Sequence, residues 1–205
     1  MSGRGTPREP VTGELVVVPA TPDRWDDVAL LLGGTEEAGC WCQAWRGTPA
    51  AYGLPRDTSR PDTLRWQLAE RAPTGFLAYL DGEPAGWCGV AVRTETPRLR
   101  TSRTVPAIDD APVWSIGCFR IRVGYRRKGV ARALLAAVVE AAREAGAPGV
   151  EAYPIDPGGS RVDVGFAFVG LASMFDQAGF RRVLETDAHS AGLPRLLVRL
   201  DFDAG

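Results

Sequence analysis

Residues 113–146, VWSIGCFRIRVGYRRKGVARALLAAVVEAAREAG, constrain this chain more than any other stretch. Val113 to Val123 is an apolar run rich in β-branched and aromatic residues, the signature of a strand. Gly124-Tyr125-Arg126-Arg127-Lys128-Gly129 is a short basic turn. Apolar residues then recur at Val130, Leu134, Val138 and Ala142, one face of a helix that Ala145-Gly146 and Pro148 stop. The first amides of any helix lack intrahelical partners, and the helix dipole adds partial positive charge there. Gly129 and Ala131 keep that end free of bulk, and Arg126, Arg127, Lys128 and Arg132 surround it with charge. Two negative groups held on several amides suggest a pyrophosphate. The turn contains neither GxxxxGK[ST] nor GxGxxG, so neither a P-loop nor a dinucleotide fold is expected.

Arg126-x-x-Gly129-x-Ala131 between a strand and a long helix resembles the coenzyme A signature of the GNAT family of N-acetyltransferases. The surroundings extend the likeness. Phe119-Arg120-Ile121 and Tyr125 stand upstream. Gly149 to Tyr153 reads as the next strand, and Ala172 to Phe180 resembles the family's last helix with its Gly-Phe ending. The resemblance covers roughly residues 75–202, and the first 70 match only in outline. It implies an α/β fold: a single GNAT-like domain over 13–205, with a mixed, mostly antiparallel sheet of six to seven strands flanked by helices on both faces.

The resemblance also implies a reaction: acetyl-CoA-dependent transfer of an acetyl group to a primary amine of a small molecule or peptide, by direct attack. Phe119, Ile121, Val123, Arg126, Arg127, Lys128, Gly129, Val130, Ala131 and Arg132 would hold the cosubstrate. The pantetheine arm would enter a splayed opening between the fourth and fifth strands and pair with the backbone near Phe119 and Ile121. The acid–base half departs from the family pattern. Phe175 stands where many members carry a tyrosine acid, Phe168 where an asparagine often holds the cofactor, and Ser115 where some members place a glutamate base. Ser173 and Tyr153 are substitute acids, and Glu36, Glu37, Asp109 and Asp110 are substitute bases acting through water. Ser173, Tyr153 and Glu37 are the catalytic candidates. The departures leave a second reading, a non-catalytic acyl-CoA-binding or regulatory protein of the same fold.

The remainder of the chain reads as follows. Residues 1–12 form a polar tail. Glu14 to Val18 is a first strand, and Thr21-Pro22 opens a helix with Thr21 as N-cap. Residues 35–60 are a loop with one helical turn; Trp41, Trp45 and Tyr52 lie there as an acceptor-side wall or a plug over the sheet edge. A helix begins at Arg60-Pro61. Asp81-Gly82 joins two apolar runs as a hairpin. Residues 93–112 are a long excursion, Pro154 to Ser160 a loop near the acetyl group, and 167–178 one helix. Phe180 to Leu184 and Leu193 to Phe202 are a closing hairpin.

A net charge of −1 over 205 residues gives no electrostatic case for nucleic acid or an anionic membrane. No apolar run nears the ~20 residues of a membrane span, so a cytoplasmic location is expected. Cys88 and Cys118 lie inside strands as small core residues. Cys40-Trp41-Cys42 is not a zinc spacing and His189 is the one histidine, so no metal is expected. The partners are acetyl-CoA and an amine, and the family resemblance allows a homodimer.

Overall fold

A computed structural model describes residues 13–33, 39–158 and 167–202. Seven strands form one sheet in the order β1-β2-β3-β4-β5-β7-β6. They are β1 (Leu15–Pro19), β2 (Gly75–Leu80), β3 (Glu83–Val92), β4 (Trp114–Ile121), β5 (Gly149–Ala152), β6 (Arg181–Ser190) and β7 (Leu193–Asp201). Every pairing is antiparallel except β4 with β5. That one parallel pair needs a crossover, and α5 (Val130–Glu144) supplies it.

Helices cover both faces. Val130, Leu134, Leu135, Val138 and Ala142 of α5 pack on the core with Phe76, Val90, Ile116 and Phe119. Phe175 of α6 (Ala172–Gln177) joins them. The other face is covered by α1 (Trp25–Leu32) and α3 (Arg60–Glu70), whose Val28, Leu31, Leu64 and Leu68 meet Leu77, Trp87 and Cys118. Ser59 caps α3 by accepting the Asp62 amide proton (3.2 Å), as an N-cap serine should. Between α1 and α3 lie α2 (Gln43–Arg46) and a 3-10 turn at Pro49–Tyr52. The hairpin turn at Asp81-Gly82 has both φ positive (54° and 80°), the type I′ geometry that suits strand twist. The 93–112 excursion contains a 3-10 turn and the short α4 (Pro97–Arg100). Its Leu99 and Val105 lie over Tyr153 and Leu197 on the α1/α3 side of the sheet.

Four expectations are revised. The expected helix 167–178 is broken. A 3-10 turn spans Ala167–Val169, Gly170 follows with φ 84°, and α6 starts only at Ala172. The cause is a competing partner: Ile155 N–H donates to Gly170 O (3.2 Å) and Ala172 N–H to Ile155 O (2.9 Å), which holds 170–172 extended. The first closing strand runs past Leu184 to Ser190, because bulges at 182/184 and 185/189 keep it on β7. Thr21 precedes a 3-10 turn and makes no side-chain cap. The central strand is shorter than 113–123, ending at Ile121 where the basic turn begins. The tail over 1–12 and residues 159–160 of the 154–160 loop lie outside the described residues.

Candidate active site

The fourth strand carries an irregularity at its centre. Cys118 pairs with Gly89 but Ile116 pairs with Val90, so Gly117 is an extra residue, a β-bulge. The bulge resets the side-chain alternation. Trp114 and Ile116 face α5, Cys118 faces α1 and α3, and Phe119 faces α5 again. Pairing with β5 ends at the same level, with Ile116 opposite Ala152. Beyond it the chain after β5 turns away, and Ile155 bridges to Leu171 and Arg195 instead. The two parallel strands therefore part from Gly117 onward. Arg122 N–H donates to Ala85 O on β3 (3.0 Å). By strand alternation Phe119 and Ile121 point their N–H and C=O groups the other way, into the gap. The 3-10 turn carrying Phe168, 44% exposed, stands on this side of β4.

The gap leads to the basic turn. Gly124, Arg127 and Gly129 all have positive φ (92°, 65° and 83°), which winds the chain tightly into α5. Gly129 is the α5 N-cap in the left-handed region, and no side chain caps the helix. The first helical bond is Ala133 N–H to Gly129 O (3.0 Å). The amides of Val130, Ala131 and Arg132 thus have no acceptor within the helix. A Cβ built on Gly129 meets nothing within 4 Å, so the space over these amides is open. Arg126, Arg127 and Lys128 are exposed, and among the described residues none of the ion pairs involves them. Lys128 and Arg122 lie over the Tyr125 ring at 5.5 and 5.3 Å. A diphosphate ester fits this end: open space, amides without helical acceptors and cations outside any ion pair among the described residues adjoin one another, Arg126 reaching only Ile121 O (3.4 Å).

The cofactor candidates fall together here, with different parts facing the seat. Val130 is buried and offers only its amide, and Val123 is 80% exposed at the rim. Arg132 donates from Nη2 to Gln177 Oε1 (2.8 Å), tying the start of α5 to the end of α6.

Of the catalytic candidates, Ser173 and Tyr153 lie within the described residues, in different settings. Ser173 is exposed on α6, two positions from buried Phe175 and so on the opposite side of that helix. Phe175 packs edge-on to Phe119 and Phe180 (6.2 and 5.2 Å between ring centres). Glu36 and Glu37 lie outside the described residues. Tyr153 is enclosed: its hydroxyl donates to Glu151 Oε1, and burial followed by that carboxylate pushes its pKa far upward. Asp109 pairs with Arg199 (2.9 Å). Burial pulls its pKa up, but the Arg199 hydrogen bond and charge outweigh that and hold it low.

Two groupings escaped the sequence reading, although it named Trp45, Ser115 and Tyr153 singly. One surrounds Glu151, fully buried in β5 and paired in register with Ser115. Its Oε1 accepts from Ser115 Oγ (3.0 Å) and Arg93 Nη1 (3.2 Å), and Arg199 Nη1 lies 3.7 Å from Oε2. A carboxylate thus lies beside the β4 position where the family resemblance led one to look for a base, but on the next strand. Arg93 opens the excursion and Asp109 lies near its end, so this cluster fastens that cover to the sheet. A charged residue inside a short apolar strand, GVEA, was the available signal.

The other group is Trp45 with Gly117. A Cβ on Gly117 would fall inside the Trp45 indole, so the bulge exists only with a bare backbone under that ring. Arg46, buried beside it, lies 4.5 Å over the same ring. It donates from Nη2 to Thr74 O and to Val90 O (2.8 Å), and burial lowers its pKa.

Comparison with known proteins agrees with this architecture. Among curated proteins no sequence matches the chain. One chain of the NatC complex bound to Gag peptide and CoA aligns at TM-score 0.55 and 12% identity, over 93% of this chain and 99% of that one. The Drosophila melanogaster polyamine N acetyltransferase aligns at 0.55 and 11%, over 92% and 100%. Aminoglycoside acetyltransferase AAC(6')-Ib in complex with coenzyme A aligns at 0.53 and 16%, over 92% and 95%. The sequence profile of the acetyltransferase (GNAT) family matches residues 41–157, more than half of the chain. With the split parallel pair and the open helix end already in place, that match settles the classification: the chain belongs to the GNAT acetyltransferase family.

Proposed function

We propose that this protein is an acetyl-CoA-dependent N-acetyltransferase acting on a primary amine by direct attack. The observation that carries the proposal is the open α5 N-terminus, with three amides that lack helical acceptors and three cations outside any ion pair among the described residues, at the end of a strand pair that splits. Arg126, Arg127, Lys128 and the amides of 129–132 bind the pyrophosphate. The backbone of Phe119 and Ile121 aligns the pantetheine arm in the gap. The bulge at Gly117 sits where the thioester would end, and Trp45 closes that point from the other face. An amine approaching there loses water on one side to the Trp45 indole. Three structural neighbours, named for a bound peptide, an aminoglycoside and a polyamine, support an amine acceptor without choosing its size.

Proton transfer is the less equipped half. Tyr153 holds its proton tightly toward Glu151, which suits positioning rather than donation to a thiolate. Glu37 remains the proposed base through water and Ser173 the proposed donor. A thiolate is a fair leaving group unaided, so Phe175 slows such an enzyme without stopping it. Phe175 and Ser115 are also what a non-catalytic acyl-CoA binder would carry, and this second reading is retained for that reason. No helix among the described residues is long and apolar enough to cross a membrane, and a cytoplasmic site of action is part of the proposal. Thiol release from acetyl-CoA, followed with a panel of polyamines, aminoglycosides and peptides, tests it. Amine-dependent release supports the enzyme; tight coenzyme A binding with no release for any amine supports the binder.

A further inference from the structure

Cys42 and Cys118 are 76 residues apart in sequence, yet their Sγ atoms lie 2.9 Å apart. Cys42 is fully buried and Cys118 is 8% exposed. Several features converge on this contact. The Gly117 bulge is what turns Cys118 toward the α1/α3 face. Trp41 and Cys42 both adopt positive φ (47° and 59°), a costly conformation for side-chain-bearing residues. The stacking of Trp41 on Trp25 (5.6 Å, 10° between planes) helps hold that turn. Gly89 supplies the room: a Cβ there would come within 3.1 Å of Cys42 Sγ and 3.3 Å of Cys118 Sγ. Trp87 Nε1–H donates to Cys42 Sγ (3.1 Å). The two sulfurs are electrostatically unlike. The Cys118 hydrogen bond, then Arg46 and Trp87, outweigh burial and hold the Cys42 thiol below its ordinary pKa, while Cys118 is pushed up by that contact and by burial. A thiol more readily deprotonated than the second thiol in contact with it is the arrangement that starts and completes disulfide formation.

We propose that Cys42 and Cys118 are an oxidisable dithiol whose disulfide pins the 40–46 turn, with Trp45 and Arg46, to the bulge of β4. The oxidant is hydrogen peroxide, small enough to reach a buried thiol through local opening. Cys42 thiolate attacks one peroxide oxygen; the O–O bond breaks, a sulfenic acid forms, and hydroxide leaves to take up a proton. Cys118 then attacks the Cys42 sulfur; the S–S bond forms, the S–O bond breaks, and a second water leaves with the Cys118 proton. Two thiols are oxidised by two electrons and one peroxide is reduced to two waters. The thiols are already within 2.9 Å, so reaching the ~2.05 Å bond needs only a small inward shift of each side chain. Exposed Cys40 and Cys88, which belongs to the α5 side of the sheet, stay reduced. This claim stands whether or not the acceptor approaches from the Trp45 side.

Hydrogen peroxide followed by tryptic digestion without reductant tests it. The peptides are separable: 25–46 holds Cys40 and Cys42, 72–93 holds Cys88, and 104–120 holds Cys118. The expected result is a 25–46/104–120 species about 2 Da lighter than the two peptides, loss of two of the four thiols, a raised thermal midpoint and full reversal by dithiothreitol. The cross-link persists in Cys40→Ser and vanishes in Cys42→Ser and Cys118→Ser. The wild-type map needs no variant to be decisive. Four surviving thiols, a bond through Cys40 or Cys88, or sulfinic acid in place of the cross-link would each overturn the proposal.

Discussion

Two glycines at opposite ends of α5 allow cofactor binding to be separated from folding. Gly129 has φ 83° and Gly146 has φ 69°, and a Cβ at either meets nothing within 4 Å. Glutamate at either site therefore carries a similar backbone penalty, about 1–2 kcal/mol for a left-handed non-glycine residue. The dipole adds a few tenths of a kcal/mol in favour of Gly129→Glu and against Gly146→Glu. For folding alone, Gly146→Glu should thus be equal or worse. Binding separates them. A carboxylate about 5 Å from a pyrophosphate repels each of its two charges by roughly 1 kcal/mol in water and about 3 kcal/mol at an effective dielectric near 20. This surface lies toward the wet end, so a loss of about 2–4 kcal/mol is expected, roughly 30- to 700-fold in Kd. The fifteen residues of α5 place the two ends about 22 Å apart, beyond a Debye length at physiological salt. Calorimetric titration of coenzyme A, alongside urea unfolding, measures both quantities. Wild-type-like affinity in Gly129→Glu, or an equal loss in Gly146→Glu, would refute the placement of the pyrophosphate.

Three further outcomes are expected. Gly117→Ala should cost about 1–3 kcal/mol by overpacking against Trp45, and the cost should fall below about 1 kcal/mol in a Trp45→Ala background; additive effects in that double-mutant cycle would mean the ring does not sit on the bulge. Glu151→Gln should lose about 3–5 kcal/mol in urea unfolding, because it strands buried Arg93, while Arg199 keeps Asp109 and Asp201; a loss below about 1 kcal/mol would show that the cluster is not a charged fastening. Asp109, held below its ordinary pKa in the folded state, stabilises the protein above about pH 4 and loses that contribution as pH falls through the lowered value. Asp109→Asn should therefore flatten acid unfolding below pH 4 and leave the alkaline side unchanged, and an unaltered acid limb would contradict the Arg199 pairing.

What could be read from the sequence was local. The strand, basic turn and helix of 113–146 follow from periodicity and turn chemistry over neighbouring residues, as does the Asp81-Gly82 hairpin. Gly170 was missed because its helix-breaking partner, Ile155, lies outside any local window. The same limit hid the Cys42–Cys118 contact: a one-residue bulge at Gly117 turns a strand cysteine to the face where a distant turn delivers its partner. Glu151 carried a local sign, a charge inside an apolar strand, but its meaning depends on Arg93, Ser115 and Arg199 arriving from three other segments. Phe175 was noticed as a missing tyrosine. Only its packing against Phe119 and Phe180 shows what it does instead.

The central claim is that one ligand lies across the β4–β5 gap and the α5 N-terminus. Amide chemical shifts of nitrogen-15-labelled protein, followed during addition of coenzyme A, test it residue by residue. The account predicts the largest shifts at Phe119, Ile121 and Gly129 to Arg132, with the β6–β7 hairpin end around His189 unmoved. Saturable binding that leaves those six amides in place and moves another region would contradict it.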